Sequence, residues 1–149
     1  LFASGTGYQT PKVDIRASVF KDDKILMVRE KIDGAWSLPG GWADVNTSVS
    51  ESAVRECREE AGAQVRPKRV IAIHQADRHY DFPYPYTIYK IFVECELIEN
   101  NFSANTETIE AGFFPIDSLP PLSHERNTRE QIEICFEAKK HKWFEAVFD

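Results

Sequence analysis

"GGWADVNTSVSESAVRECREEAG", residues 40 to 62, decides the reading of this chain. Ser48 and Glu51 stand in S-x-x-E spacing, which predicts a capped helix starting near Val49. Ala53, Val54, Cys57 and Ala61 recur at the 3.6-residue period of a buried stripe, and Gly62 stands where a left-handed residue ends a helix. Glu56, Glu59 and Glu60 crowd the last two turns, the wrong end for negative charge. The helix dipole disfavours each by roughly 0.3–1 kcal/mol, and Glu56 and Glu60, four residues apart, also repel each other. A solvated acidic face softened by Arg55 and Arg58 is the plain alternative. Against it, spacings of i, i+3 and i+4 make the three carboxylates converge on one patch, expected opposite the apolar stripe and open to a ligand. Gly40 and Gly41, without side chains, let a backbone carbonyl approach whatever the carboxylates hold. Several hard oxygens on a rigid helix suit Mg²⁺ or Mn²⁺, and such a cation offsets both electrostatic penalties together.

Working outward, "VDIRASVF" (13–20) alternates like a half-buried strand, "KDD" turns the chain, and "KILMVRE" (24–30) returns. Asp33-Gly34 signals a hairpin into a short strand, "WSLPG". Longer strands are expected over "RVIAIHQADRHY" (69–80) and "YTIYKIFVECELI" (86–98), with a proline-bearing loop between them. "AGFFPI" (111–116) reads as a further strand. Thr128 and Gln131 cap a second helix over 128–142 whose face carries Ile132, Cys135, Phe136 and Lys139. Strands and helices are interspersed, so a single domain spanning 1–149, with a mixed sheet between helices, is expected.

The bulk numbers exclude several classes. A net charge of −6 argues against non-specific binding to DNA, RNA or anionic membranes. No apolar run approaches the ~20 residues that span a bilayer. Cys57, Cys95 and Cys135 are widely spaced and form no CxxC pattern. They read as buried thiols of a reducing, cytoplasmic compartment rather than as a zinc or disulfide framework.

"G-x5-T-x7-REC-x-EE-x-GA", Gly41 to Ala63, closely resembles the signature of the Nudix hydrolases, G-x5-E-x7-R-E-U-x-E-E-x-G-U with U apolar. The departure is Thr47, where the family has its first Glu. "TPKVDIRASVF", "GAWSLPGGWADV", "YTIYKIFVECEL" and "GFFPIDSLPPLS" extend the likeness to a subgroup that includes CDP-choline pyrophosphatases and proteins labelled ADP-ribose pyrophosphatases. The resemblance implies an α/β/α sandwich with a mixed β-sheet. It implies metal-dependent hydrolysis of a nucleoside diphosphate linked to another moiety, with Mg²⁺ or Mn²⁺ as cofactor and a small nucleotide as substrate. A house-cleaning nucleoside triphosphate hydrolase and a ligand-sensing domain without catalysis are the alternatives. The subgroup commonly carries a helical segment ahead of the position of Leu1, which makes residues 1–11 a lead-in, and it admits a homodimer.

By the same resemblance, Glu59 and Glu60 are principal metal ligands, Glu56 a ligand or water-orienting group, and Gly41 a carbonyl ligand. Arg55 and Gly62 are structural. Glu107 and Glu110, in a region after the signature, are candidate general bases beside Glu56. Arg16 and Arg29, on adjacent strands, are candidates to hold phosphate. Trp36 and Trp42 flank the glycines as candidate stacking partners. Arg78, His79, Tyr80 and Tyr84, in the long loop with Asp77 and Tyr86, suit a base-binding lid. His74, within an apolar run, reads as a hydrogen-bonded interior histidine.

Overall fold

The computed structural model describes residues 7–149 except Phe82; the first half of the lead-in, residues 1–6, lies outside the described residues. In chain order the elements are β1 (Lys12–Lys21), β2 (Lys24–Glu30), β3 (Trp36–Ser37), β4 (Gly40–Trp42), α1 (Val49–Ala61), β5 (Ala63–Gln75), β6 (Ile88–Asn100), β7 (Thr108–Phe114), α2 (Arg129–Lys139) and β8 (Val147–Phe148). The sheet runs β3-β2-β1-β6-β5-β8, with β4 paired to β1 and β7 to β2. It is mixed: β1 and β6 are parallel, as are β5 and β8, and the remaining pairs are antiparallel.

Alternation along β1 and β2 sends Ile15, Ala17, Val19, Leu26 and Val28 to one side, where they pack with Ala53, Cys57 and Ala61 of α1. Ile25 and Met27 face the other side and meet Ile132, Cys135 and Ala138 of α2. The expected sandwich is therefore present, with one helix on each face. All three cysteines are buried thiols.

Both helices start as the capping boxes at Ser48 and Thr128 dictate, and Gly62 ends α1 at φ 62°. Three expectations need correction, and one strand was not expected. β1 is buried on both faces from Asp14 to Val19, because its polar positions face the α2 side instead of solvent. "WSLPG" splits at Leu38-Pro39 into β3 and β4, which pair with different strands. β5 begins directly after Gly62, six residues earlier than expected, with register shifts around Pro67. β8 has no counterpart in the sequence reading.

The feature that builds the site is a parting of strands. β1 and β2 pair only next to their turn, at Phe20–Ile25 and Lys21–Lys24. Beyond that they separate, and β4 lines β1 within the opening.

Candidate active site

Helix α1 does not present its acids uniformly. Glu60 is only 4% exposed, Glu56 is half-buried and Glu59 is exposed. This corrects the expected open patch. Glu60 follows Ala53 by seven residues and Cys57 by three, so it falls on the edge of the apolar stripe rather than opposite it. Its Oε1 accepts a hydrogen bond of 2.7 Å from the Gly40 amide. Glu56 lies against Gly41, where an added Cβ would meet its Oε1 at 3.2 Å. Arg55 donates to Glu56 at 3.2 Å and to Asp44 at 2.8 Å, fastening the helix to the loop that precedes it. Thr47 closes that loop by donating to the Asp44 carbonyl at 2.6 Å.

The register of β4 corrects the expected carbonyl. Ala17 donates to Pro39 and Ala43 to Val13, each at 2.8 Å. In an antiparallel ladder this alternation turns Gly41 toward its partner Ile15 and leaves the amide and carbonyl of Gly40 on the open edge. The Gly40 amide indeed meets Glu60 there. Gly40, not Gly41, offers its carbonyl beside the carboxylates, and an alanine there would drive Cβ to 2.0 Å from the Ile15 carbonyl. Gly41 instead makes room for Glu56.

Burial pushes Glu60 up from 4.5 to about 8; Arg16 and the Gly40 amide oppose this, and Glu30 and Glu56 add to it. Burial also raises Glu56, with Arg55 opposing and Glu59 reinforcing. Hard carboxylate oxygens from Glu56, Glu59 and Glu60 plus the Gly40 carbonyl form a donor set that suits Mg²⁺ or Mn²⁺. The side-chain-free seat at Gly41 and the desolvated Glu60 fit a cation there.

On the other face of β4 lies a pocket of ≈ 310 Å³ lined by Asp14, Arg16, Gly41, Trp42, Tyr84, Tyr86 and Lys90, among others. Its floor is a buried ionic network. Arg16 grips Asp14 with two hydrogen bonds, at 2.9 and 3.0 Å, and also donates to the Leu38 carbonyl. Lys90 donates to the same carboxylate at 2.8 Å. Burial pushes the Asp14 pKa up, but Arg16 and Lys90 together hold it below its ordinary value. Burial lowers Lys90, with Asp14 opposing and the neighbouring Arg16 charge reinforcing. At the mouth, Trp42 is 48% exposed and Lys12 places its ammonium over both Trp42 and Tyr86.

The remaining candidates scatter. Tyr84 lines the pocket and donates to the Glu125 carbonyl at 2.8 Å; burial pushes its phenol up to about 12. Tyr80 stacks on His124. Trp36 is core, packed edge-on against Phe114. Arg78 bonds Gln75 and borders a separate hollow beside Phe148. Arg29 bonds the Gly34 carbonyl and approaches Glu110 at 3.7 Å. These two are cross-strand partners on the face that also carries Met27 and Gly112, away from α1, so Glu110 is not brought to the carboxylates. Glu107 is different. Its carbonyl accepts from Lys31, next to Glu30, and Asn105 ties the same loop to the Glu59 carbonyl.

His79 stacks on His74 at 3.6 Å and bonds Asp149 at 2.7 Å. These three could be mistaken for a metal centre. Thr128 orients the Gln131 amide so that its NH₂ donates to His74 Nδ1, which leaves the His74 proton on Nε2 and no lone pair for a metal. His74 is thus interior as expected, with Nε2 lacking a partner.

The sequence reading named Gly40 with Gly41 but took the Gly41 carbonyl as the ligand, and it missed Asp14 and Lys90 as site residues. The available signal was charge at core-facing positions of apolar strands.

A model of the NUDIX domain family matches residues 10–134. This chain belongs to the Nudix hydrolase superfamily. Among the similar proteins, one from Bacillus subtilis (strain 168), named "Putative ADP-ribose pyrophosphatase YjhB", is 42% identical over all of this Nudix hydrolase and 72% of its own length. An "ADP-ribose pyrophosphatase" of Methanocaldococcus jannaschii is 31% identical over 84% of this chain and 75% of its own. The crystal structure of an ADP-ribose pyrophosphatase from Streptococcus suis 89-1591 superimposes with a TM-score of 0.87 at 45% identity, over 94% of this chain and 100% of that one. A crystal structure titled UDP-X diphosphatase gives 0.89 at 32% identity, over 98% of this chain and 70% of that one. No helix among the described residues is long and apolar enough to cross a membrane.

Proposed function

We propose that this Nudix hydrolase cleaves the pyrophosphate bond of a nucleoside diphosphate linked to another moiety, releasing a nucleoside monophosphate, with Mg²⁺ or Mn²⁺ as cofactor. ADP-ribose stands first as substrate because relatives similar over most of this chain carry it in their names. CDP-choline and UDP-linked compounds follow. The observation that carries this reading is the meeting, across β4, of a carboxylate set on one face and a pocket with an aromatic mouth on the other.

Glu56, Glu59, Glu60 and the Gly40 carbonyl hold the cation, which when bound neutralises charge developing on the phosphates and lowers the pKa of a bound water. Gly40 and Arg55 fix the directions of Glu60 and Glu56 before substrate arrives. Trp42, Tyr84 and Tyr86 enclose the moiety beyond the diphosphate. Water attacks one phosphorus in line with the bridging oxygen; the P–O bond breaks and its electron pair leaves with the departing phosphate. The water proton passes to a carboxylate, and Glu107 is favoured over Glu110 because its loop is tied to the end of α1.

Mass spectrometry of products tests this. ADP-ribose, CDP-choline, UDP-sugars, dinucleoside polyphosphates and nucleoside triphosphates are each incubated with Mg²⁺ or Mn²⁺, with EDTA as control. Metal-dependent release of a nucleoside monophosphate from a linked diphosphate is expected. Turnover of triphosphates alone, or of nothing by folded protein, refutes the reading.

A further inference from the structure

We propose that Glu30, at the end of β2, is a further carboxylate of the cation site, acting from the sheet on the same cation that Glu60 faces from helix α1. The proposal rests on the reading of α1 as a cation site.

Glu30 continues the row of Leu26 and Val28, whose side chains pack beneath α1. The extra residue at the β2–β7 irregularity, Ile109, belongs to β7, so β2 keeps its alternation and Glu30 stays on the α1 face. There the parting of β1 from β2 opens the sheet toward Glu60. Glu30 is only 9% exposed, and no hydrogen bond or ion pair engages its carboxylate among the described residues. An acid placed at a core-facing position of a strand without an ion pair is unusual, and a ligand at the edge of the sheet would account for it. Its cross-strand neighbour on β7, Thr108, is fully buried, and its hydroxyl also lacks a hydrogen-bond partner. An orphaned hydroxyl beside an unpaired acid on the face that meets α1 points to a ligand between them.

Charge balance agrees. Around this end of β1 the buried ionic groups are Asp14, Glu30 and Glu60 against Arg16 and Lys90, three negative and two positive. Both cations hydrogen-bond to Asp14. With both cations paired to Asp14, neither Glu30 nor Glu60 has an ion pair of its own among the described residues. A divalent cation between sheet and helix supplies what is missing. Structural ion pairs elsewhere, such as Glu94 with Arg69 at 3.1 Å, show how this chain treats a buried acid that has no ligand to bind.

The test is Mn²⁺ titration of wild type, Glu30→Gln and Glu60→Gln, followed by the loss of the free Mn²⁺ signal in electron paramagnetic resonance. Metal-free melting temperatures are measured alongside. Glu30→Gln is expected to weaken Mn²⁺ binding about tenfold or more, the scale on which groups supporting metal ligands act. Its metal-free melting temperature is expected to stay unchanged or rise. Unchanged Mn²⁺ affinity in Glu30→Gln, while Glu60→Gln loses it, overturns the role of Glu30 and leaves the cation site standing. A lowered melting temperature with wild-type affinity likewise makes Glu30 merely structural. Absence of Mn²⁺ binding in wild type overturns the underlying reading. Should Glu30→Gln fail to fold, Glu30→Asp retains the charge on a shorter arm; weaker Mn²⁺ binding supports the proposal and wild-type binding refutes it.

Discussion

Two groups of buried charge lie on opposite faces of β4, and the protein treats them differently. On the pocket side, Asp14 is held by Arg16 and Lys90, with every oxygen engaged. On the helix side, Glu60 has one backbone amide, Glu30 has no partner, and burial raises Glu60 to about 8. The first group is complete within the chain and positions the pocket floor. The second, on the proposed reading, is completed by a cation. The contrast separates structure from function more sharply than burial alone, since Asp14 and Glu60 are buried to nearly the same degree.

The contrast breaks most violently at Asp14. Asp14→Asn leaves Arg16 and Lys90 buried without the ion-pair partner they share and should cost about 3–5 kcal/mol by chemical denaturation. The upward shift of melting temperature that Mn²⁺ brings should survive, because the cation site lies on the other face. Next comes Glu60→Gln, which should lower turnover of the substrate found in the product screen by about 100- to 1,000-fold. Its metal-free stability near neutral pH should be unharmed or improved, checked by thermal unfolding in EDTA.

A pH scan sharpens the same distinction. Glu60 titrates near 4.5 in the unfolded chain and at about 8 when folded, so between these values the folded state holds a proton that the unfolded state has lost. Metal-free stability should therefore decline as pH rises through this window and level off above it. Glu60→Gln should flatten that decline, as followed by melting temperature in EDTA. The smallest effect is expected at Thr47. Its hydroxyl serves a local turn, so Thr47→Glu should change turnover by no more than about fivefold, less than any loss of Glu59 or Glu60.

Much of this was legible in the sequence, because the rules involved are local. Capping boxes at Ser48 and Thr128, the left-handed Gly62 and the Glu56-Glu59-Glu60 spacing need only a few residues of context. What escaped depends on strand register. Whether Gly40 or Gly41 turns its carbonyl outward is decided by pairing with Ile15, and no local signal carries that. Arg16 was expected to hold phosphate, yet it grips Asp14 of β1 itself, and the second cation on that carboxylate, Lys90, comes from β6, 76 residues along the chain. Glu110 looked equivalent to Glu107 until the pairing of β7 with β2 placed it beside Arg29 on the other face.

The most direct test of the central claim is thermal unfolding at pH 8 of wild type and Glu60→Gln, each in EDTA and in saturating Mn²⁺. The account predicts a clear Mn²⁺-dependent rise in melting temperature for wild type and its loss in Glu60→Gln. Identical wild-type curves with and without Mn²⁺ would contradict it, since the buried carboxylates would then be stable without the cation they are arranged to hold.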